Sequence, residues 1–481
     1  MKENLFIVSL IILITFCTFM VFAQDFYVST NGSDIPGNGS LLSPWRTISY
    51  ALQSISPTSP TLAIINISSG DFSEAITMKD YTALKGGWNL DFSIWDVVNN
   101  KTIIQPPQPS QTLLTCSGTN SLTGLILKNA FYGISIIKGN VNLSYCEISY
   151  HTSRGISIEG DANVEITSST IRNNTTGIYS YLAENVYISQ NHFLKNSDKG
   201  IHAYFSTPLI EKNLFEENKY SIYISRDLDG GATISKNKFI KNTGNAIYLY
   251  RSNSKIENNA FVLNETGVLC EYYSYPNIIN NTFFKNRADG VSFSFSGSSS
   301  KVINNIFYLN EKYGVHEFDA FSEPSLIFNC FYSNKLANYF DDGTTPTITV
   351  QEIANIHNGS SIVMGNVVTD PILINGTQND FHLTFRSPCI DAGYTTDTLI
   401  INEDIDEEHR PNDVPGVDNN SEMDEIDIGC DEFYWTLTEE IFRDHILGRF
   451  LIPDFWRSSS DLNGDGVINI ADLILLILKK K

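Results

Sequence analysis

From about residue 116 to 345, hydrophobic and polar positions alternate with period two, in short runs broken by turns. Ala232-Thr233-Ile234-Ser235 and Lys301-Val302-Ile303 are such runs, and β-branched residues are common in them. This is strand spacing, because successive side chains of a strand point to opposite faces. A longer period lies over it. The segment Asn-X-Phe-X-X-Asn, followed by Gly-Ile or Gly-Val, recurs about every 22 residues. Its central apolar position falls at Ile126, Ile148, Ile171, Phe193, Phe215, Phe239, Phe261, Phe283, Phe307 and Phe331. Its second Asn falls at Asn129, Asn174, Asn196, Asn218, Asn242, Asn264, Asn286, Asn310 and Asn334, with His151 filling the gap. An internal period of this size marks a solenoid. A helix of about 10–15 residues has no room in each repeat, which argues against ankyrin-like and leucine-rich horseshoes. Three short strands and three turns per repeat predict an all-β, right-handed parallel β-helix, with coils stacked about 4.8 Å apart. The Phe column is expected inside. The repeated Asn is expected in a left-handed turn conformation, its amide bonding to those above and below.

The ends of the chain are less regular. Pro44-Trp45-Arg46-Thr47-Ile48-Ser49-Tyr50-Ala51-Leu52 has the spacing of a short amphipathic helix, suited to cover an open solenoid end. With Asp25-Phe26-Tyr27-Val28-Ser29 before it, this stretch resembles the start of many secreted β-helix proteins, the pectate-lyase-like group. Asp380-Phe381-His382-Leu383, Ser387-Pro388-Cys389-Ile390-Asp391-Ala392-Gly393 and Asp427-Ile428-Gly429-Cys430-Asp431-Glu432 resemble an ending found on many bacterial secreted β-helix proteins. That resemblance implies that these residues close the last coil. The segment between these phrases, Glu403 to Glu425, is strongly acidic and reads as a solvated loop or a calcium-binding one.

Composition narrows the setting. The formal net charge is -22, and no basic stripe is present to neutralise phosphates, which argues against nucleic acid as a partner. Lys2, the apolar run Leu5 to Phe22 and Val21-Phe22-Ala23 predict an export signal over residues 1–23, with an uncleaved membrane anchor as the alternative. No second apolar run of membrane length follows, so no membrane association is expected after signal removal. Outside the signal stand Cys116, Cys146, Cys270, Cys330, Cys389 and Cys430. Those within the repeats read as buried small apolar residues. Cys389 and Cys430 lie outside the repeats and either pair or stay free.

The strongest chemical motif lies near the C-terminus. Asp461, Asn463, Asp465, the Val467 carbonyl, Asn469 and Asp472 occupy positions 1, 3, 5, 7, 9 and 12 of a loop with Gly466 at position 6. That is the EF-hand pattern of oxygen donors for calcium. Asp at position 12 and Asp472-Leu473 entering a helix make residues 436–481 resemble a dockerin, the module that plugs secreted enzymes into cohesin-bearing scaffolds. Dockerins carry two such loops; here Arg443 to Trp456 lacks the acidic ligands, and positions 10 and 11 are Ile470 and Ala471. The resemblance implies calcium and a cohesin-type partner, with a purely structural calcium hand as the alternative.

In each coil the strand after the Gly begins inward, with Ile134, Ile156, Ile178, Ile201, Ile222, Ile247, Val268, Val291 and Val315. Alternation then turns Tyr179, Tyr181, His202, Tyr204, Tyr223, Tyr248 and Tyr250 outward as a strip, with Glu271 at its edge. Exposed rows of aromatics suit sugar rings. They also arise as cross-strand stacking that only stabilises a sheet. Arg226, Asp227, Asp229 and Arg251 sit just past the strand ends. Arg226, Asp229, Arg251 and Glu271 are the catalytic candidates, although no paired-carboxylate phrase is present. Glu317 falls at an inward position.

The chain thus divides into a signal (1–23), a cap with irregular first coils (24–115), regular coils (116–345), last coils with a C-terminal cap (346–435) and a calcium-binding segment (436–481). Two functions fit. One is a secreted, extracellular protein that binds or degrades polysaccharide as a lyase or glycoside hydrolase. The other is a non-enzymatic adhesion or surface-layer rod.

Overall fold

The computed structural model describes residues 24–227, 230–295, 300–319, 322–341, 362–395, 402–412, 414, 426–434, 439–448, 452 and 460–479. The signal expected over residues 1–23 lies outside them.

Three parallel sheets of 14, 13 and 12 strands run the length of the molecule. Each coil contributes one strand to each, as Val186–Ser189, His192–Leu194 and Lys199–Tyr204 do. Every inward position of one coil therefore lies over the same position of the next. Ile188 pairs with Ile210, Phe193 with Phe215 and Ile201 with Ile222. The rings from Phe193 to Phe331 stack with centroids 4.6–4.9 Å apart and interplanar angles of 4–14°. That spacing matches the distance between hydrogen-bonded strands. The small residue opening each third-sheet strand is needed for this packing. A Cβ on Gly267 would sit 2.4 Å from the Gly290 carbonyl oxygen and 2.5 Å from the Phe283 ring.

The Asn ladder is present but differs from expectation in three ways. It begins one residue later, because Ala130, not Asn129, donates its N–H to His151 Nδ1. Likewise Leu127, not Ile126, pairs with Ile148 inside the column. Leu125-Ile126-Leu127 is continuously apolar, so alternation leaves its phase open. Secondly, the ladder Asn is not the left-handed residue. The one before it is: Lys195, Glu217, Lys241, Leu263 and Lys285 all have φ of 52–55°. Thirdly, the first Asn of each segment builds a second ladder on the neighbouring turn, from Asn191 through Asn213, Asn237, Asn259, Asn281, Asn305 and Asn329 to Asn366.

Each rung uses its whole amide. Asn242 Nδ2 donates to Asn264 Oδ1 (2.7 Å) and to the Phe215 carbonyl (3.1 Å), and Asn242 Oδ1 accepts from Asn218 N–H (2.9 Å). Asn242→Ala strips partners from three buried groups and is expected to cost about 1–3 kcal/mol. Exposed Asn253→Ala should stay within about 0.5 kcal/mol. Equal shifts of the two melting temperatures would refute this account of the turn.

The predicted N-terminal helix spans Ile48–Ser54, capped by Thr47 and burying Ile48, Ala51 and Leu52 against the first strands. Glu317 is buried, and Tyr339 donates its hydroxyl to Glu317 Oε1 at 2.6 Å.

The C-terminal phrases do not lie across the end of the solenoid. Their described residues run along its flank, on the outer face of the second sheet. Phe381, Ile405 and Cys430 pack on Ala260, Val262 and Phe284. Leu383, Cys389 and Ile428 pack on Ile306 and Cys330. Arg410 is the pin. It is fully buried and donates to Glu432 Oε2 (2.6 Å), Asn258 Oδ1 (2.9 Å) and the Gly429 and Asp431 carbonyls. Cys389 and Cys430 fall in separate apolar clusters and are free, as are the other four described cysteines. The acidic stretch is only partly solvated: Asp404 is buried, and its carboxylate accepts from the Asp406, Glu408 and Glu432 amides.

Near the C-terminus, helices Glu439–Ile446 and Ile470–Lys479 pack together. No described helix is long and apolar enough to cross a membrane.

Candidate functional site

The third sheet places the tyrosines on its outer face by strand alternation. One row pairs Tyr179, His202, Tyr223, Tyr248 and Leu269; the next pairs Tyr181, Tyr204, Ser225, Tyr250 and Glu271. All but the buried Ser225 are half-buried, each ring shielding its neighbour. Tyr223 and Tyr248 stack at 4.5 Å, and Tyr181 and Tyr204 at 5.6 Å. His202 stands edge-on between Tyr179 (5.2 Å) and Tyr223 (5.0 Å). Burial first, then the nearby Lys199 and Arg154 charges, push its pKa down to about 4, so it is a neutral imidazole at pH 7.

Two cations missed by sequence reasoning belong to this face. The Arg154 guanidinium lies 3.6 Å from the Tyr179 ring centroid, and Lys199 Nζ lies 5.1 Å from that of Tyr223. Such contacts fix rings by cation–π attraction. The signal was present, since Arg154 and Lys199 each stand two residues before an inward Ile. A rim of exposed apolar side chains follows the strand ends, with Leu182, Tyr272 and Phe295 among them.

Among the described residues, the catalytic candidates Arg226, Arg251 and Glu271 form no ion pair with one another. Glu271 accepts a short hydrogen bond from the Tyr248 hydroxyl. Burial and then Glu271 hold that hydroxyl well above the usual tyrosine range. Arg226 and Arg251 occupy left-handed turn positions and lie over Phe205 (6.0 Å) and Tyr250 (5.7 Å). Among the described residues neither pairs with a carboxylate. Asp227 is taken up by Ser252 Oγ (2.5 Å) and Asn253 N–H (3.0 Å). Asp229 lies outside the described residues.

Beyond Glu271 the face deepens into a groove of about 360 Å³, lined by Glu265, Glu271, Asp289, Ser292, Lys312 and Phe318 among others. Asp289 is buried there, with Oδ2 accepting from Ser292 Oγ (2.8 Å) and lying 3.1 Å from His316 Nδ1. The face is thus an aromatic platform that ends on a charged groove.

The C-terminal loop carries its six candidate calcium ligands from Asp461 to Asp472 in the first turn of the following helix. Gly464 and Gly466 take φ of 75° and 82°, which curls the loop around Asp461. Asp461 Oδ1 accepts from Gly464 N–H (2.7 Å) and Oδ2 from Gly466 N–H (2.6 Å). Asp465 accepts from Val467 N–H (2.9 Å) and Asn463 Nδ2 (2.9 Å), which hold its carboxyl below the usual range. Asp472 is buried beneath the loop and accepts from Leu462 N–H (2.7 Å). An all-oxygen set on a glycine-curled turn fits a hard cation.

Comparison with known proteins bears on the fold. A family described as "Right handed beta helix region" matches residues 113–261. The chain is a right-handed parallel β-helix. A second family, described as "Periplasmic copper-binding protein (NosD)", matches residues 210–371. No curated protein matches the chain. Among solved structures, the complex of XylC with xylose is similar over 85% of this chain and 98% of its own, at 12% identity and a TM-score of 0.52. The A-module of the Azotobacter vinelandii mannuronan C-5 epimerase AlgE6 follows, over 64% of this chain and 91% of its own, at 14% and 0.46. A PL6-family polysaccharide lyase from Pseudopedobacter saltans is similar over 66% and 90%, at 15% and 0.45. At these identities the likeness is one of fold.

Proposed function

We propose that this is an exported protein that binds an extracellular polysaccharide along the aromatic face of its third sheet. The observation that carries the reading is the continuous platform of Tyr179, His202, Tyr223 and Tyr248, which ends at the groove beside Glu271. Sugar C–H faces pack on π surfaces, while hydroxyls take polar partners. Arg154, Lys199 and the neutral His202 supply such partners along the platform, and Glu271 and Asp289 supply them at its end. The xylose named for one structural neighbour agrees with a sugar ligand, and the case rests on the face itself.

Binding without turnover, as in an adhesin or surface rod, is the reading favoured by Arg226 and Arg251 lying over aromatic rings while Glu271 is held by the Tyr248 hydroxyl. A lyase or hydrolase would need the Glu271–Asp289 groove to hold its reacting groups. The double variant Tyr223→Ala/Tyr248→Ala should lose polysaccharide binding in affinity electrophoresis while keeping most of its stability, since both rings lie outside the core. Unchanged migration in every glycan gel would leave the strip a structural stack only. Glu271→Gln keeps the shape and removes the charge. Lost product formation with binding retained would make the protein an enzyme.

The tail adds a calcium-binding hand in this proposal. Asp461, Asn463, Asp465, the Val467 carbonyl, Asn469 and Asp472 hold the ion. The ion offsets the mutual repulsion of the three aspartates and so orders the loop. Asp461→Ala should abolish one calcium-binding event of the full chain in calorimetry. An unaltered calcium isotherm would refute the ligand set. Ile470, Ile474 and Leu478 are exposed on the following helix and offer an apolar contact to a partner, a cohesin-type scaffold by resemblance.

A further inference from the structure

Among the described residues, one group of three ligating side chains converges to within 4.8 Å: His382, Asp406 and Asp431. It lies in the flank segment on the second sheet, whereas the aromatic face belongs to the third. Three strands of evidence make it more than a cluster of acids. Asp431 is 2% exposed, and neither of its carboxylate oxygens has a hydrogen-bond donor in the structure. Burying a carboxylate without a partner is expensive, so a second group must balance it. Its Oδ1 points at His382 Nε2, 3.7 Å away, and Asp406 Oδ2 lies 3.5 Å from the same nitrogen.

His382 is also held from behind. Its Nδ1 lies 2.6 Å from Asp380 Oδ1. A carboxylate only accepts, so Nδ1 carries a proton, which leaves Nε2 as the nitrogen that can turn a lone pair to a cation held with Asp406 and Asp431. A carboxylate behind a histidine is the arrangement that orients metal-ligating imidazoles. Nearby, Lys238 Nζ sits 3.5 Å from the other oxygen of Asp406, and the Asp404 carboxylate is already taken by three backbone amides.

We propose that His382 Nε2, Asp406 and Asp431 form a binding site for a divalent cation of the zinc type, oriented by Asp380. One imidazole nitrogen with two carboxylates, and one side open to solvent through half-exposed His382 and exposed Asp406, suits zinc better than calcium. His382 follows the strand residue Phe381, Asp406 sits in the loop through Ile405, and Asp431 follows Cys430. All three neighbours pack on the second sheet. A bound cation therefore fastens three separate stretches of the flank segment to one another over the coils. The site is independent of the sugar-binding reading.

The test is a zinc titration of the full, chelator-stripped chain by calorimetry, with calcium present in excess to fill the C-terminal loop. One zinc per chain is expected, undisplaced by calcium. His382→Ala and Asp406→Asn should each abolish it. Asp380→Asn should weaken it about 10–100-fold, as loss of an orienting partner does. Asp461→Ala should leave it unchanged. Asp406 is exposed, so its variant folds even if His382→Ala loosens the flank. No zinc uptake by the parent chain, displacement by calcium, or uptake unchanged in Asp406→Asn would each overturn the proposal.

Discussion

Arg410→Ala is expected to peel the flank segment from the β-helix and leave the coils wound. The guanidinium is fully buried and makes bonds that reach three parts of the fold: Glu432, the Gly429–Asp431 backbone and Asn258 of a coil. Removing it leaves the Glu432 carboxylate buried without its countercharge. Losing one partner of a buried pair costs about 3–5 kcal/mol. Few other contacts on the flank match that. Protease should then cut within residues 370–434 of the variant at a denaturant concentration where the parent resists, while the coils stay intact. An unchanged digestion pattern would show that apolar packing alone holds the segment.

Phe261→Ala should weaken the coils themselves. Phe261 lies between Phe239 (4.8 Å) and Phe283 (4.6 Å) in a column with no exposed ring edge. Truncating a buried Phe costs about 3–5 kcal/mol, because the stack above and below cannot collapse into the gap. In a solenoid each coil touches only its neighbours. The loss therefore also weakens the coupling between the coils before and after residue 261. Denaturant unfolding should shift to lower concentration and broaden or split into two steps. A single transition moved by less than about 1 kcal/mol would show that the column repacks.

Much of this architecture is legible in the sequence, because a strand alternation and a coil period reinforce each other at every repeat. The Phe column and the second-Asn ladder follow directly from it. The phase failed at Ile126 and Asn129, where three successive aliphatic residues satisfy either register. The other ladder, from Asn191 to Asn366, is not legible from the period alone, because a first Asn two places before the Phe reads equally as a solvated turn residue. The flank packing depends on contacts more than a hundred residues apart, such as Arg410 with Asn258 and Cys430 with Thr282. A trace of it was nevertheless present. Outward positions beside the Phe column are polar or long-chained in early coils, as at Arg172 and Glu216. They become Ala260, Val262, Phe284 and Ile306 where the segment lies. The aromatic face was placed correctly as a set of outward rings. Its cations were not, since a lone Arg or Lys on a strand looks like any solvated charge.

The flank segment also bears on how the rod would carry load. In the coils, the hydrogen bonds between strands run along the long axis, so tension along that axis loads successive coils in series. The weakest one sets the breaking force. The flank segment runs along that same direction. It ties to Lys212 and Lys236 through Glu407 and Glu403, to Asn258 through Arg410, to Thr282 through the Cys430 N–H and to Asn304 through Tyr394. Those anchors fall on five consecutive coils. Over that length it runs in parallel with the coil-to-coil bonds, like a splint. Under pulling, the first rupture should fall N-terminal to the Lys212 coil.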